Sequence, residues 1–369
     1  MKIAFDHQTF TYQMYGGISR YYTLLAEQLL CKGQNVKIFS GLHRNRYIQS
    51  LPEDVIKGIN IHKYPPKMGR VFQWVNHAIS QPQIKCWNPD IIHETYYSSL
   101  PRLKTNALRV TSTYDMIHEL FPHQFPSHDK TTQWKKSTFS RVDHIISISH
   151  STKRDLIELF GIDEKKITVV HLGVDLSAFE NATPTLALEA KPFLLYVGGR
   201  QGYKNFSGFI EAIATSPRLI RDFDVVAFGG GAFTPNELRE IALLGFKDNQ
   251  VRQVGGGDQI LASLYQRANV FVYPSLYEGF GLPPLEAMAS GCPVVSSNTS
   301  SMPEVVRNAG YYFDPNSVED MRDAIERVVY SDSLREELVT LGFKNVKHFS
   351  WEKCSKETLD VYERLLSRV

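Results

Sequence analysis

Apolar and polar positions along the chain alternate between two spacings. Short apolar runs such as Lys2–Phe5 and Phe193–Val197 are followed by longer stretches, such as Ile18–Lys32, in which leucines recur at helical spacing. Short buried runs indicate strands, whereas the longer spacing indicates amphipathic helices. Strands that alternate with helices predict a parallel sheet with helices on both faces. The predicted strands are 2–5, 35–39, 59–63, 91–93, 109–112, 144–148 and 167–171, then 193–197, 225–228, 251–254, 270–273, 294–296 and 311–313.

One segment, 176–192, interrupts this alternation and contains Pro184 and Pro192. It predicts a linker between two Rossmann-like α/β domains, 1–175 and 193–348, with a helix over the last residues, 351–366. Ligands of such sheets bind beyond the carboxyl ends of the strands. The expected site is therefore the cleft between the two halves, which we expect to face each other.

The composition excludes several classes of protein. The 369 residues carry 41 basic and 39 acidic side chains, a net charge of +2, so no general affinity for nucleic acid is expected. The four cysteines have no metal-ligand spacing, and no metal site is predicted. We find no signal peptide and no apolar run of about 20 residues, which predicts a cytoplasmic protein that can still contact a membrane surface.

The segment Tyr277–Pro293 carries the strongest chemical signal. Two carboxylates, Glu278 and Glu286, are separated by seven residues and flank glycines and the pair Pro283-Pro284. Prolines suit the first turn of a helix, and the amino end of a helix suits a phosphate. Glu286 is then one turn into the helix, and Glu278 stays on the loop beside whatever the phosphate carries.

This segment resembles the signature of glycosyltransferase family 4, whose members are retaining enzymes with the GT-B fold. The resemblance implies that Glu286 binds the ribose hydroxyls of a nucleotide-sugar and that Glu278 lies beside the donor sugar. It also implies that backbone amides of Phe280, Gly281 and Leu282 contact the sugar and the distal phosphate. As in relatives, the segment 349–369 is expected to cross back to the N-terminal domain.

A second signal follows the strand 193–197, where Gly199, Arg200 and Lys204 precede a helix. The helix dipole disfavours cations at this position unless an anion lies nearby. We therefore interpret Arg200 and Lys204 as a clamp that stabilises a departing diphosphate without a metal ion. The family resemblance implies the same role for both residues.

Two weaker signals lie in the N-terminal half. Gly16 and Gly17 precede a helix and are typical of a phosphate-binding loop. Asp115 and His118 lie in a loop after a strand, where the resemblance implies contacts with the donor sugar or the acceptor. Many family members have His-Asp where this chain has Tyr114-Asp115, so either His118 takes over the histidine contact or Asp115 alone orients the acceptor.

The resemblance also implies a substrate class, with no cofactor beyond the nucleotide-sugar itself. We expect a hexose donor linked to GDP or UDP, with GDP-mannose first, and a lipid-linked oligosaccharide or lipopolysaccharide acceptor. The alternatives are a UDP-sugar transferase and an epimerase with the same architecture. A binding module without activity and a dehydrogenase are less favoured, the latter because no full GxGxxG follows a strand.

The segment 63–87 mixes cations with aromatic residues, including Lys67, Arg70, Trp74 and Trp87. Such a mixture suits an anionic bilayer surface. The segment is predicted either to contact a membrane peripherally or to pack as a loop and helix on the N-terminal domain.

Overall fold

A computed structural model describes residues 1–62, 64–65, 68–175 and 191–368 of the chain. Contacts between Cα atoms divide the chain into two compact units. The first unit comprises Met1–Gly173 and Trp351–Val369, and the second comprises Val174–Ser350. Most of the predicted linker, residues 176–190, lies outside the described residues.

Within the described residues, the first unit is built on seven parallel strands in the order β3-β2-β1-β4-β5-β6-β7. The strands are β1 (Lys2–Phe5), β2 (Asn35–His43), β3 (Ile56–Asn60), β4 (Ile91–Glu94), β5 (Leu108–Thr113), β6 (His144–Ser147) and β7 (Ile167–Val169). The helices that precede the second unit are α1 (Gln8–Tyr12), α2 (Gly17–Cys31), α3 (Gly69–Trp87), α4 (Ile117–Leu120), α5 (Thr131–Arg141) and α6 (His150–Phe160).

The described part of the second unit contains six parallel strands in the order β10-β9-β8-β11-β12-β13. They are β8 (Phe193–Val197), β9 (Asp224–Phe228), β10 (Val251–Val254), β11 (Val270–Tyr273), β12 (Val294–Ser297) and β13 (Gly310–Phe313). The helices are α7 (Phe206–Ala214), α8 (Pro217–Asp222), α9 (Pro235–Leu243), α10 (Asp258–Arg267), α11 (Leu282–Ala289), α12 (Met302–Val306), α13 (Val318–Val329) and α14 (Asp332–Val346).

Both sheets have the strand order of a dinucleotide-binding fold. Numbered within its own unit, each sheet contains the order 3-2-1-4-5-6, and the first adds one more strand at its edge. The strand order reverses between β1 and β4 and again between β8 and β11, where such sheets place their ligands. The predicted pair of Rossmann-like units is confirmed.

The closing helix, α15 (Trp351–Leu366), belongs to the first unit. Its Trp351 ring lies 6.0 Å from the Tyr21 ring of α2, and its Tyr362 hydroxyl lies 2.6 Å from Nδ1 of His93 on β4. A Cβ atom on Gly173 would lie 2.4 Å from the Trp351 nitrogen, so a glycine is needed for this close approach. Within the described ranges, no helix has both the length and the apolar character needed to cross a bilayer.

Two predicted strands in the first unit differ from the observed ones by three residues or more at one end or both, and four others differ by one or two residues. Strand β2 extends to His43, beyond the predicted end at 39, and β3 covers Ile56–Asn60 and not 59–63. The register between β2 and β3 shifts between Ile38 and Gly41, and Gly41 has a φ of +62°. This irregularity is typical of a β-bulge, which continues a strand through residues that otherwise indicate a turn.

Candidate functional site

Loops at the carboxyl ends of the second sheet bring two of the predicted residues together. Lys204 follows β8, and Glu278 follows β11, the neighbouring strand. The Lys204 Nζ atom donates a hydrogen bond of 2.7 Å to Oε1 of Glu278. Their side chains are 21% and 10% exposed.

Backbone hydrogen bonds hold the two loops in register. The Leu276 amide donates to the Tyr203 carbonyl over 2.7 Å. The Asn205 side chain donates to the carbonyls of Pro274 (3.2 Å) and Pro315 (2.8 Å), and Asn205 itself has a φ of +55°. Because Asn tolerates this left-handed conformation, the chain can turn sharply from Lys204 into α7.

A serine pair after β12 supports the loop that carries Glu278. The Ser300 hydroxyl accepts a hydrogen bond from the Glu278 amide over 2.9 Å. The Ser301 hydroxyl, which is fully buried, lies 2.9 Å from the carbonyls of both Glu278 and Phe280. These bonds fix the backbone from Glu278 to Gly281, where the sequence predicts contacts with a sugar.

Helix α11 begins at Leu282, with Gly281 at its N-cap and two prolines in its first turn, as predicted. Gly281 has a φ of +102°, and a Cβ atom there would lie 2.5 Å from the Met302 side chain. Glu286 is partly exposed on this helix, and the Tyr265 hydroxyl lies 3.5 Å from its Oε2. Burial, reinforced by the Glu286 charge, raises the pKa of Tyr265 well above its usual value. The tyrosine therefore stays a hydrogen-bond donor.

Arg200 contacts the loop after β9 and not the Lys204–Glu278 pair. Its guanidinium donates to the carbonyls of residues 229–232 at 2.9–3.5 Å and forms a 2.7 Å ion pair with Glu237. The Phe233 ring lies 4.6 Å from the guanidinium carbon. Although burial opposes ionisation of Glu237, the Arg200 hydrogen bond and the capping contacts of Thr234 lower the pKa of Glu237. The diphosphate contact predicted for Arg200 stays a prediction.

A tyrosine of the preceding strand, β8, positions Gly199. Tyr196, the fourth residue of β8, donates its hydroxyl hydrogen to the Gly199 carbonyl. Burial raises the pKa of this phenol.

The aromatic rings of Tyr203 and Tyr273 lie 5.2 and 5.8 Å from the Lys204 ammonium. The cation is therefore surrounded by the Glu278 carboxylate and two ring faces.

In the first unit, the Gln13 side chain occupies the amino end of α2, at the loop that the sequence predicts to bind phosphate. Gly16 is the N-cap of α2, and Gln13 Oε1 accepts a hydrogen bond of 2.9 Å from the amide of Ser19. A Cβ atom on Gly16 would lie 2.4 Å from the Gln13 side chain. A glycine at 16 is therefore needed for the glutamine cap, whereas Gly17 is exposed and has no atom within 4 Å of its Cβ position.

Asp115 and His118 lie in one loop region around a buried lysine. Lys135 Nζ, with a side chain only 1% exposed, donates to the Asp115 carbonyl and to Glu119 Oε2, each over 2.7 Å. His118 stacks on the Phe125 ring at 3.9 Å, and its Nε2 lies 4.0 Å from an Asp129 oxygen. Burial and the Lys135 charge lower the pKa of His118. The loop thus presents a neutral imidazole and a partly exposed carboxylate.

Three other polar residues near these strand ends have structural roles. Tyr114 is buried, and its ring lies 5.9 Å from the Tyr21 ring. His93 is fully buried between the hydroxyls of Tyr362 and Ser112, and burial lowers its pKa to about 3. Glu94 is fully buried, and despite the opposing effect of burial, three arginines hold its pKa at about 2. In order of increasing distance from the Glu94 carboxylate, these are Arg141 (2.6 Å), Arg109 (3.2 Å) and Arg102 (3.4 Å).

The sequence did not predict a cavity of about 210 Å³ in the first unit. It lies where α3 and α5 begin, beside the loop that follows β4. Cations stand at both helix starts, and neither helix has an acidic residue in its first turn. These basic residues were the signal from which the sequence could have predicted the cavity, because the helix dipole disfavours cations at the amino end unless an anion lies nearby. The lining residues are Arg70, Gln73, Trp74, Ser98, Ser99, Leu100, Lys130 and Trp134.

Comparisons with known proteins agree with the resemblance seen in the sequence. Residues 15–178 match the model of Glycosyltransferase Family 4, and residues 179–344 match that of Glycosyl transferases group 1. The chain is 29% identical over 392 residues to O-antigen chain mannosyltransferase B of Escherichia coli, covering 99% of this chain and 100% of that protein. It is 26% identical to O-antigen chain mannosyltransferase RfbU of Salmonella typhimurium, covering 79% and 80% of the two chains.

A solved structure with the same fold is sucrose-phosphate synthase from Thermosynechococcus elongatus. The TM-score is 0.77 at 22% identity, and the match covers 100% of both chains. At this identity the likeness shows the fold alone, which is GT-B.

Proposed function

The chain belongs to glycosyltransferase family 4, and from this premise we propose that it transfers mannose from GDP-mannose to a lipid-linked saccharide with retention of the anomeric configuration and without a metal ion. The observation that carries the proposal is the Lys204–Glu278 pair beside the amino end of α11. The full-length relative that acts as an O-antigen chain mannosyltransferase supports the choice of mannose.

The donor would bind along the carboxyl edge of the second sheet. We propose that the diphosphate binds to the Lys204 ammonium and the amino end of α11, since a fixed cation and a helix dipole both favour a doubly charged anion. Glu286 would then accept hydrogen bonds from the ribose hydroxyls. Glu278, released from Lys204, would accept hydrogen bonds from the hydroxyls of the sugar.

Transfer would proceed on one face of the sugar. The bond from the anomeric carbon to the phosphate oxygen breaks, and the acceptor oxygen bonds to the same carbon from the same side. The acceptor proton passes to the departing phosphate oxygen. Lys204 stabilises the negative charge that develops on this oxygen, so the protein contributes placement and electrostatic stabilisation.

The acceptor would bind the first unit. Asp115 and the neutral His118 are polar groups that can orient a hydroxyl, and the cavity between α3 and α5 adds two indole rings with Arg70 and Lys130. Indole faces suit sugar rings, and the cations suit a phosphate, which together fit a saccharide joined to a lipid through phosphate.

A transfer assay with defined donors tests the proposal. GDP-mannose and lipid-linked acceptor, in buffer with EDTA, should give a mannosylated lipid whose new linkage has the donor's configuration by proton NMR. UDP-N-acetylglucosamine, UDP-glucose and acceptor-free reactions are the controls. Transfer from a UDP-sugar alone would replace the donor assignment, and turnover of the donor without acceptor would indicate an epimerase.

A further inference from the structure

Helix α3 has its polar face buried and its apolar face in solvent, the reverse of an ordinary surface helix. Its buried side chains include Gln73, Asn76, His77, Ser80 and Gln81. Six of its exposed side chains are apolar and follow one another at helical spacing, and they are Val71, Trp74, Val75, Ala78, Ile79 and Pro82. We call these six residues the α3 stripe.

Hydrogen bonds fix the helix in this orientation. Asn76 accepts from the Leu42 amide over 2.7 Å and donates to the Leu42 carbonyl over 2.9 Å. His77 Nε2 lies 2.6 Å from the Pro101 carbonyl, and Gln81 accepts from the Leu103 amide over 3.2 Å. A rotation that buried the stripe would leave these polar groups without partners, so the exposed apolar face is a built feature of the fold.

The stripe is the centre of a larger apolar surface. Among the described residues, six of the fourteen exposed large apolar side chains lie between positions 59 and 79. Trp74 is 59% exposed, and Ile59, on the edge strand β3, is 65% exposed. Ile59 and Ile79 line the same groove of about 280 Å³ between β3 and α3, so strand edge and stripe are continuous. Clustering of this kind marks an interaction surface.

The charges of this segment select the partner. Residues 55–89 contain five basic side chains and no acidic one, although the whole chain has a net charge of only +2. Lys57, Arg70 and Lys85 are exposed basic residues of β3 and α3. A second copy of the chain docked through this surface would bring like charges together. An anionic partner is complementary to it.

We propose that the α3 stripe inserts into the surface of an anionic bilayer, with α3 parallel to the membrane plane and Lys57 and Lys85 at the lipid headgroups. An apolar helix face flanked by basic residues and a tryptophan has the chemistry of an interfacial helix. Because Trp74 belongs both to the stripe and to the cavity assigned to the acceptor, the docked enzyme would hold that cavity at headgroup level. The placement of the acceptor cavity at the headgroups rests on the proposed function, whereas the docking of the stripe does not.

Vesicle sedimentation without donor or acceptor tests the docking. The full chain should sediment with vesicles containing phosphatidylglycerol and should bind at least tenfold less to vesicles of pure phosphatidylcholine. The variant Val75→Glu/Ile79→Glu should lose at least tenfold in binding, and Lys57→Glu/Lys85→Glu should lose binding in a salt-dependent manner. Leu243→Glu, which changes an 81% exposed leucine of the second unit, should bind as the wild type does.

Equal binding of the Val75→Glu/Ile79→Glu variant and the wild type would overturn the proposal. If the wild type dimerises without vesicles and this variant does not, a second copy of the chain and not the bilayer covers the stripe. If the wild type neither binds vesicles nor dimerises, the occupant is a different protein. Transfer to a short, water-soluble acceptor separates docking from chemistry, because the variant should keep this activity. Loss of vesicle binding with intact transfer to the soluble acceptor overturns neither the donor assignment nor the mechanism.

Discussion

The two units share a strand order, yet they use charge differently at the same edge of the sheet. In the second unit, Lys204 and Glu278 pair with each other and stay partly exposed. In the first unit, Glu94 ends the central strand β4, is fully buried and binds three arginines. The carboxyl end of a strand is therefore the proposed ligand site in one unit and a charged core in the other. Among the described residues, the two carboxylates differ in the number of cations paired with them, which is one for Glu278 and three for Glu94.

Histidine content is a second difference between the units. Eleven of the twelve histidines lie in residues 1–173, and His348 is the one in the second unit. Burial lowers the pKa of His7 and His93 to about 3. The first unit thus depends on neutral histidines, and the two units should respond differently to acid.

Removing the charge of Glu94 should have the largest effect on stability. Glu94→Gln keeps the side chain's shape but leaves buried arginines without their anion, which should lower the free energy of unfolding by about 3–5 kcal/mol. Urea unfolding measures the change. The matched control is Glu164→Gln, which removes an exposed carboxylate paired with Lys153 and should leave the midpoint unchanged. Equal effects of the two substitutions would show that the Glu94 cluster is not a charged core.

Removing Lys204 should have the largest effect on activity. Lys204→Ala leaves the diphosphate without its fixed cation in the transition state, so kcat should fall about 10²–10³-fold while the fold persists. Circular dichroism and the transfer assay measure the two outcomes. Lys153→Ala, a lysine of the first unit with an exposed carboxylate partner, should keep full activity. Wild-type turnover by Lys204→Ala would remove this residue from the mechanism.

Acid should open the first unit before the second. An unfolded histidine has a pKa of about 6.5, so below that pH the unfolded chain binds protons that buried His7 and His93 do not. At pH 5.5 the two residues together should lower the stability of the first unit by about 3 kcal/mol, and the loss should deepen as the pH falls toward 3. Hydrogen exchange resolved by peptide measures each unit. Earlier exposure of the second unit's strands would contradict the assignment.

A small substitution at the start of α11 should have the smallest effect. Gly281→Ala places a side chain at a φ of +102° and against Met302, which should cost about 1–2 kcal/mol and raise the KM for the donor about tenfold. The control is Gly257→Ala, where the backbone is extended and no atom lies within 4 Å of the added carbon. Donor kinetics that do not separate the two variants would argue against a close contact at Gly281.

The sequence predicted the second unit better than the first for physical reasons. Strands β8, β10 and β11 have the predicted bounds, and β8 and β11 are short apolar runs between turn residues. The start of α11 was predicted because glycine and proline restrict the backbone locally. The carbonyls that bind Arg200 belong to residues 229–232, which no local pattern connects with position 200.

In the first unit, the important contacts are distant in sequence. His93 bonds to Tyr362, 269 residues away, and no local pattern connects the two positions. The bounds of α3 could not be derived from amphipathic spacing, because most of its apolar residues face outward. The roles of Asp115 and His118 stay predictions, as does the contact of the segment 63–87 with a membrane, in which positions 63, 66 and 67 lie outside the described residues.

Calorimetric titration with GDP tests the central claim, that a nucleoside diphosphate binds between Lys204 and the start of α11. Wild-type protein should bind GDP at least tenfold more tightly than UDP, and Lys204→Ala and Glu286→Gln should each weaken GDP binding about tenfold or more. Glu336→Gln, an exposed glutamate of α14, should bind GDP as the wild type does. Unchanged GDP affinity in both Lys204→Ala and Glu286→Gln would contradict the account.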